Sequence, residues 1–434
     1  MKSVDVNVNV QHLTRVEGHG NILLDVKNGE IEKCLWEVTE APRFFEAFVR
    51  GRKWDEMQEI TSRICGICSI SHSEASLKAT EAAFGITPSE QTVLLRRLLE
   101  HGENLQSHVL HVCYLVLPDL LGVGSVFPLI ETHKEAVLTV TRVHRLANEL
   151  CDLVGGRTTH PCSLVVNGFT SLPDPKALES FRKRSEEGLK DLATLADLVA
   201  SVSDKLPNFE RETEYIALTS EEEYALYDGD IASSDTGTIP ADGYREVLNE
   251  YIVQHSTAKH SKHARDSYMV GALARFNINH EQLTPGAKRV AERLGLKAPC
   301  HNPFMISVAQ LVESVHSLEE TVRLIDILLD HGLKPEPISV EVKAGKGVGA
   351  IEAPRGLLIH DYEYDKNGVC VAANCVIPTN QNHGNIQKDM EAIVPHILGK
   401  KSEKEIELTL EMLVRAYDPC ISCSAHLLRL RRSS

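Results

Sequence analysis

The sequence predicts an α+β protein, with a predominantly α-helical core and smaller β-sheet regions near the N-terminus and around residues 336–378. Three observations carry that expectation. Apolar and polar residues alternate around Asn-Gly pairs at 28–29 and 367–368, a strong hairpin signal. Between these regions, long segments repeat apolar residues at helical spacing behind recognisable caps. There is no internal repeat, low-complexity stretch or linker rich in Pro, Gly and Ser, so all 434 residues read as a single interlocked domain.

Taken in order, residues 1–60 read as a β-rich start, built on "HGNILLDVKNGEIEKCLWEV". Ser71 and Glu74 have capping-box spacing, and Gly85 is placed to end that helix. Thr87-Pro88-Ser89-Glu90 offers a cap, a first-turn proline and a reciprocal glutamate. The following helix carries Leu94, Leu98, Leu105, Val109 and Val112 on one face. Another runs from about Glu131 to Val154 and stops at Gly155-Gly156, and a third opens at Asp174-Pro175. Residues 205–265 are more polar and hard to read; "TSEEEYALYDGDIASSDTG" reads as surface, with "ERETE" and "SEEE" as solvated faces. Helical pattern returns at 284–331, and a last helix is capped by Ser402 with Glu405 and breaks at Pro419.

A formal net charge of −15 argues against a nucleic-acid partner, because phosphate binding needs clustered Lys and Arg. No apolar run reaches the length of a membrane span, and the N-terminus lacks a secretory core, so a cytoplasmic location is expected. Eleven cysteines in such a chain point to reduced thiols with metal or redox use.

Four of them form two Cys-x-x-Cys pairs. Cys65 and Cys68 precede a helix, and Cys420 and Cys423 follow another. Two intervening residues let both sulfurs of a pair reach one ion, and two pairs make a four-sulfur site. Closing so long a loop rather than a 20-residue one costs only about 2.5 kcal/mol. Structural zinc can supply on the order of 10 kcal/mol or more. Spacing alone therefore favours zinc over a redox metal. The remaining cysteines (34, 113, 151, 162, 300 and 370) show no cluster spacing and read as buried small apolar residues. The glycine-rich "AGKGVGAIEAPRG" fits neither a phosphate loop nor a dinucleotide fingerprint and reads as turn and strand.

The wording around the pairs changes the balance. "RICGICSISHSEAS" and "DPCISCSAH" closely resemble the two signature motifs of the large, catalytic subunit of nickel–iron hydrogenases. "RVEGHGN" and "PRFFEAF" before the first, and "GRTTHP", "EAPRG" and "CVIPT" between the two, follow in family order and resemble further motifs. The "PRFFEA" wording and short form look most like the cytoplasmic, cofactor-coupled class. The resemblance implies reversible heterolytic cleavage of dihydrogen at a nickel held by four sulfurs. Cys68 and Cys423 would bridge to an iron carrying carbon monoxide and cyanide; Cys65 and Cys420 would be terminal on nickel. It further implies that Cys420 passes a proton to Glu17, and that Arg355, after Pro354, lies over the metals. His72 would bond toward a bridging sulfur, and Thr379 would lie near a cyanide. Asp119 and Asp418 match outer carboxylates. Glu46, His426 and the carbonyl of Cys375 would hold magnesium or iron at a second site. No iron–sulfur motif is recognisable in this chain, so an iron–sulfur small subunit is implied, with a further cofactor-reducing subunit using a nicotinamide, flavin, ferredoxin or disulfide. Relatives are cut after the final His by a maturation protease once nickel chaperones have acted. Here "LLRLRRSS" (427–434) follows His426 as a candidate maturation tail, expected to point outward because it carries three arginines. Two rivals remain at this point: a zinc-stabilised non-catalytic scaffold subunit, and a hydrogen-sensing regulatory hydrogenase.

Overall fold

A computed structural model describes residues 5–425. Val6–Val10, Gly20–Lys27 and Glu30–Val38 form an antiparallel sheet in sequence order. Asn28 and Gly29 both take positive φ (53° and 83°), the backbone that a two-residue turn matched to strand twist requires. Ile22, Leu24, Val26, Trp36 and Val38 point inward and join the main apolar core. The strands stop at Val38. Short helices at Phe45–Val49 and Met57–Thr61 occupy the rest of the stretch read as β-rich.

The helical core follows the periodicity, with corrected starts. The helix Ser69–Phe84 begins one residue after Cys68 and closes at Gly85 (φ 65°). Ser71 and Glu74 make no capping box, since both lie inside this helix and are buried. A carboxylate from the next helix does the capping instead: Ile70 and Ser71 donate their N–H groups to Glu103 at 2.7 and 2.9 Å. That next helix, Glu90–Val109, starts two residues later than expected because Ser89, not Thr87, accepts the N–H of Thr92 at 3.1 Å. It runs on through a wider π turn at Leu110–Val116. Lys134–Gly155 ends at Gly156, while Leu129–Thr132 is a separate turn broken at His133. Asp174 caps Pro175–Ala200 as predicted, and Ser402 with Glu405 forms the full capping box of Glu403–Ala416. The helix Ile306–His331 packs against Glu90–Val109 and Pro175–Ala200.

Residues 205–265 are not surface throughout. Glu214–Thr219, Asp230–Ser233 and Gly237–Ile239 form a sheet, and Tyr224, Leu226, Tyr227 and Ile231 are buried. Glu214, in "ERETE", is itself buried and accepts from Ser233 and His263 at 2.6 Å. The apolar residues here come in short strands, so charges dominate any window average. The helix Pro378–Ile397, unread in the sequence, carries polar side chains that bond inward, which hides its apolar stripe.

The C-terminal β region narrows to Gly345–Ala353, Gly356–Tyr364 and Cys370–Val376, an antiparallel sheet. Its first strand explains the glycine-rich motif. A Cβ at Gly345, Gly347 or Gly349 would stand 2.1 Å from the carbonyl oxygen of Ala83, Ala79 or Ala75. Four helical residues advance about 6 Å and two strand residues about 6.6 Å, so glycines at every second position meet alanines at every fourth. Among the described residues, no helix is long and apolar enough to cross a membrane.

This contact yields a direct expectation. Gly347→Ala drives a methyl group into the backbone of the facing helix at Ala79 and Ala83 and should destabilise by about 3 kcal/mol or more. Gly124→Ala, where nothing lies within 4 Å, should be close to neutral. Thermal unfolding of the two variants checks the difference.

Candidate metal centre

The close helix–strand contact delivers one cysteine pair. Cys65 is extended (φ −141°, ψ 142°) after the single turn Ser62–Ile64, and Cys68 is the residue before the helix Ser69–Phe84. Of the other pair, Cys420 precedes and Cys423 lies within the turn Ile421–Ser424, reached through Asp418 in left-handed conformation (φ 51°). All four sulfurs are buried and lie within 4.8 Å of one another. Cys65 and Cys420 Sγ are 3.5 Å apart across a separation of 355 residues. Cys420 and Cys423 are joined Sγ to Sγ, so the four-thiolate set is that of the reduced pair.

The surroundings favour charged sulfur at Cys65. Burial opposes its thiolate, but hydrogen bonds from the Cys68 thiol and from the N–H groups of Cys68 (3.1 Å) and Ile67 (3.3 Å), with the charge of Arg355, bring its pKa below the ordinary value. Cys68 is pushed up by that same thiol bond and by burial. Arg355 is buried and fixed by Asp418, donating Nε to its carbonyl at 2.7 Å and Nη2 to its carboxylate at 2.9 Å. Its Nη1 is buried without a partner, a donor left over for a group that binds here. Four soft sulfurs in a dry pocket with one spare guanidinium N–H fit nickel and low-spin iron bearing small acceptor ligands; the sulfurs alone would equally fit zinc.

Glu17 is half-buried and held by the second pair's own turn. Its carbonyl accepts from Ile421 N–H at 2.9 Å, and its carboxylate accepts from Ser422 N–H at 3.0 Å and from the Ser422 hydroxyl. Cys420 Sγ is 3.3 Å from Glu17 Oε2. Gly18 (φ +86°) has to be glycine, because a Cβ would stand 2.8 Å from Ile421 Cβ. The Thr379 hydroxyl accepts the N–H of Cys420 at 3.1 Å. Pro354 holds the base of Arg355 by accepting from Arg275 at 3.0 Å. Gln310 donates to Asp418 at 3.1 Å.

Other expected residues lie farther out. His72 is buried with Nδ1 3.0 Å from His360 Nε2, which in turn has Tyr362 as partner at 2.6 Å across its other nitrogen. The Asp119 carboxylate pairs with Arg15 and Arg415, and so anchors the segment that carries Glu17. Glu46 is buried and accepts the N–H of Cys375 at 3.0 Å, which brings those two together as expected. His426 and the 427–434 tail lie outside the described residues. Of the remaining cysteines, Cys34, Cys113, Cys151 and Cys370 are buried as read, whereas Cys162 is exposed and Cys300 only half-buried.

Two residues went unread. Arg43, inside the quoted "PRFFEAF", ties the pairs together: its Nη2 donates to the carbonyls of Ile64 (2.6 Å) and Ser422, and its N–H donates to that of Ala425 at 2.9 Å. Glu103, which caps the cysteine-bearing helix, lies on the face of its own helix opposite the apolar residues read from the sequence, so no local pattern marks it.

Known proteins agree with this geometry. Residues 43–139 and 244–426 match the nickel-dependent hydrogenase family, and residues 7–41 match a family described as HoxL-like. Two proteins of Pyrococcus furiosus, sulfhydrogenase 1 subunit alpha and sulfhydrogenase 2 subunit alpha, are each 32% identical; they cover 99% and 98% of this chain and 100% of their own. Among solved structures, an NAD+-reducing [NiFe]-hydrogenase in the H2-reduced state superposes with a TM-score of 0.87 at 26% identity, over 98% of this chain and 100% of that one. A [NiFeSe]-hydrogenase of Dm. baculatum shares the fold at a TM-score of 0.78 and 22% identity, over 97% of this chain and 100% of that one. The α+β fold with its two convergent cysteine pairs thus belongs to the nickel-dependent hydrogenase family, and the chain is the large, catalytic subunit of such an enzyme.

Proposed function

We propose that Cys65, Cys68, Cys420 and Cys423 together hold nickel, with Cys68 and Cys423 also bridging to an iron that bears carbon monoxide and cyanide. The observation that carries this reading is the convergence of four buried sulfurs on one point, with a carboxylate 3.3 Å from one of them. When bound, the metal pair supplies the polarisation that makes dihydrogen acidic and accepts its electron pair. The chain's own residues manage the proton. Cys420 sulfur is the nearest base, and Glu17 Oε2 is within reach to take the proton on. The two bonds from Ser422 keep Glu17 from swinging away. Arg355, fixed by Asp418, would offer its spare N–H to a diatomic ligand of the bound iron. Thr379 orients Cys420 through its backbone and borders a cyanide; Pro354 and Asp418 act by positioning Arg355. His72, held by His360 at one ring nitrogen, would bond toward a bridging sulfur through its other nitrogen. Asp119 acts at a distance, by fixing Arg15.

Glu46, the carbonyl of Cys375 and His426 would hold magnesium or iron at the second site, where an oxygen-rich set suits a hard cation. We read residues 1–434 as one interlocked domain, supported by the pairing of Glu17 with Cys420. Electrons pass to an iron–sulfur small subunit and then to a cofactor-reducing partner in the cytoplasm. The relatives' designation as alpha subunits, and the NAD+-reducing neighbour, support that arrangement. A maturation protease and nickel chaperones complete the inventory of partners.

Metal analysis of the purified complex, with infrared spectroscopy in the carbonyl and cyanide region, tests the centre. Nickel and iron together with those bands are expected, and Cys65→Ser should lose nickel; zinc without the bands would overturn the reading. Glu17→Gln keeps the shape of the side chain but cannot accept a proton. It should lower dihydrogen oxidation by on the order of 100-fold at unchanged nickel content.

A further inference from the structure

Behind the cysteines lies a set of ionisable groups that the reading above leaves unused. Glu74, Glu100 and Glu103 are 0%, 1% and 1% exposed. Glu74 projects from the helix Ser69–Phe84, and the other two from the facing helix Glu90–Val109. Glu103 accepts from Ile70 and Ser71 N–H in the turn that follows Cys68, and from the Ser71 hydroxyl. The same hydroxyl lies 3.5 Å from Glu100 Oε1. Glu100 faces Glu74.

Neither oxygen of Glu74, nor Oε2 of Glu100, receives a hydrogen bond from any N–H or O–H group of the described protein. The two nearby cations are committed elsewhere. Arg96 donates to Glu81 at 2.8 and 2.6 Å, and Arg275 to Glu313 and Glu352. Lys78, one turn along from Glu74, bonds Asp228 at 2.7 Å, while Tyr227 donates no bond to Glu74. A buried carboxylate with no donor is too costly to persist, whereas two facing carboxyl groups that share a proton satisfy each other. Burial first, then the neighbouring carboxylates, raise Glu74 and Glu100 well above the ordinary carboxyl range, and burial brings Glu103 to about 7.

We propose that Glu103, Ser71, Glu100 and Glu74 form a second, buried proton route leading from the cysteine site toward Lys78 and the half-exposed Asp228. The route rests on the proton-releasing role proposed for the four-cysteine site. One proton given up by the cysteine site enters at Glu103; the Ser71 hydroxyl takes it while passing its own to Glu100. Glu100 and Glu74 then exchange their shared proton, and Glu74 passes one to Lys78 as that ammonium gives its own to the Asp228 carboxylate, which releases it to solvent. Each group gains and loses a single proton, and no electron moves. The route runs parallel to Glu17 and would sustain turnover when Glu17 is blocked.

The mature, purified complex provides the test, with Glu74→Gln, Glu74→Leu and Glu100→Gln made alone and together with Glu17→Gln. Infrared spectra should show a protonated-carboxyl band that shifts in heavy water, persists in Glu17→Gln and is lost in Glu74→Gln and Glu100→Gln. Added to Glu17→Gln, either glutamine variant should reduce the remaining dihydrogen oxidation by about tenfold or more. Glu74→Leu, an apolar group of similar size that leaves Glu100 protonated, should still fold and load nickel and should lose that turnover. A double variant as active as Glu17→Gln, absence of the band, or losses that merely track nickel content or unfolding temperature would overturn the route. Should Glu17→Gln alone be fully active, the reading of Glu17 fails by itself. The buried route is then judged in the otherwise intact enzyme: a tenfold fall in Glu74→Gln supports it, and no fall overturns it.

Discussion

The site depends on how closely one helix approaches one strand. With three glycines facing Ala75, Ala79 and Ala83, the strand Gly345–Ala353 lies against the helix backbone itself. The strand then turns at Pro354 and Arg355, so the guanidinium arrives over the cysteines at the start of that same helix. A layer of ordinary side chains between the two would push the elements apart by several ångströms and carry Arg355 away from the sulfurs. Packing here sets the reach of a charged group, which in turn sets the electrostatics of the thiolates.

Charge burial is the second constraint, and it is severe. Arg96, Arg275 and Arg415 are among the largest fully buried side chains, and each is held by carboxylates: Glu81, the Glu313–Glu352 pair, and Asp119. Pairs of this kind roughly offset their own desolvation and add little net stability, yet breaking one leaves a charge stranded at a cost of about 3–5 kcal/mol. Their value lies in geometry. Arg275 holds the carbonyls of Ala353 and Pro354 at 3.0 Å each, while Asp119 links Arg15 near the N-terminus to Arg415 near the C-terminus. The fold thereby fixes the segments that carry Arg355, Glu17 and Cys420 through contacts that involve no metal.

Much of this was legible in the sequence, and the failures have identifiable causes. The four cysteines, Glu17, Arg355, Thr379 and the Glu46–Cys375 pair could be named because local motifs mark them, and the structure brings them together. Helices with an amphipathic stripe and a clear cap, such as Pro175–Ala200 and Glu403–Ala416, start where their caps were read. Where the inward face is polar, the reading broke down. Pro378–Ile397 buries Asn380, Gln381, Asn382, His383 and Asn385, so no apolar period stands out. The Ser71–Glu74 cap failed for a related reason: a carboxylate distant in sequence, Glu103, outcompeted the local one. Side chains that satisfy backbone groups on other elements leave no trace in a window of neighbouring residues. Arg43 is of the same kind, since its three partners lie on segments up to 382 positions away.

Arg43 also bears on how a site made from distant parts of a chain comes to exist. Joining the two cysteine turns closes a loop of 355 residues, an entropic cost of a few kcal/mol that metal binding could meet unaided. If it did, the site would be disordered until loaded, and its ligands would be free to capture whichever thiophilic ion arrived first. Zinc, tetrahedral and abundant, would be favoured over a nickel–iron pair. Here the turns are already joined by hydrogen bonds that involve no metal: Arg43 to Ile64, Ser422 and Ala425, Glu17 to Ile421 and Ser422, and Arg355 to Asp418. The loop cost is therefore borne by the protein, and the metal meets a pocket whose shape is set. Arg355 adds a donor for which a bare zinc ion has no use, while a metal carrying acceptor ligands satisfies it. Selectivity in this centre thus resides in what surrounds the four sulfurs, since the sulfurs themselves do not discriminate.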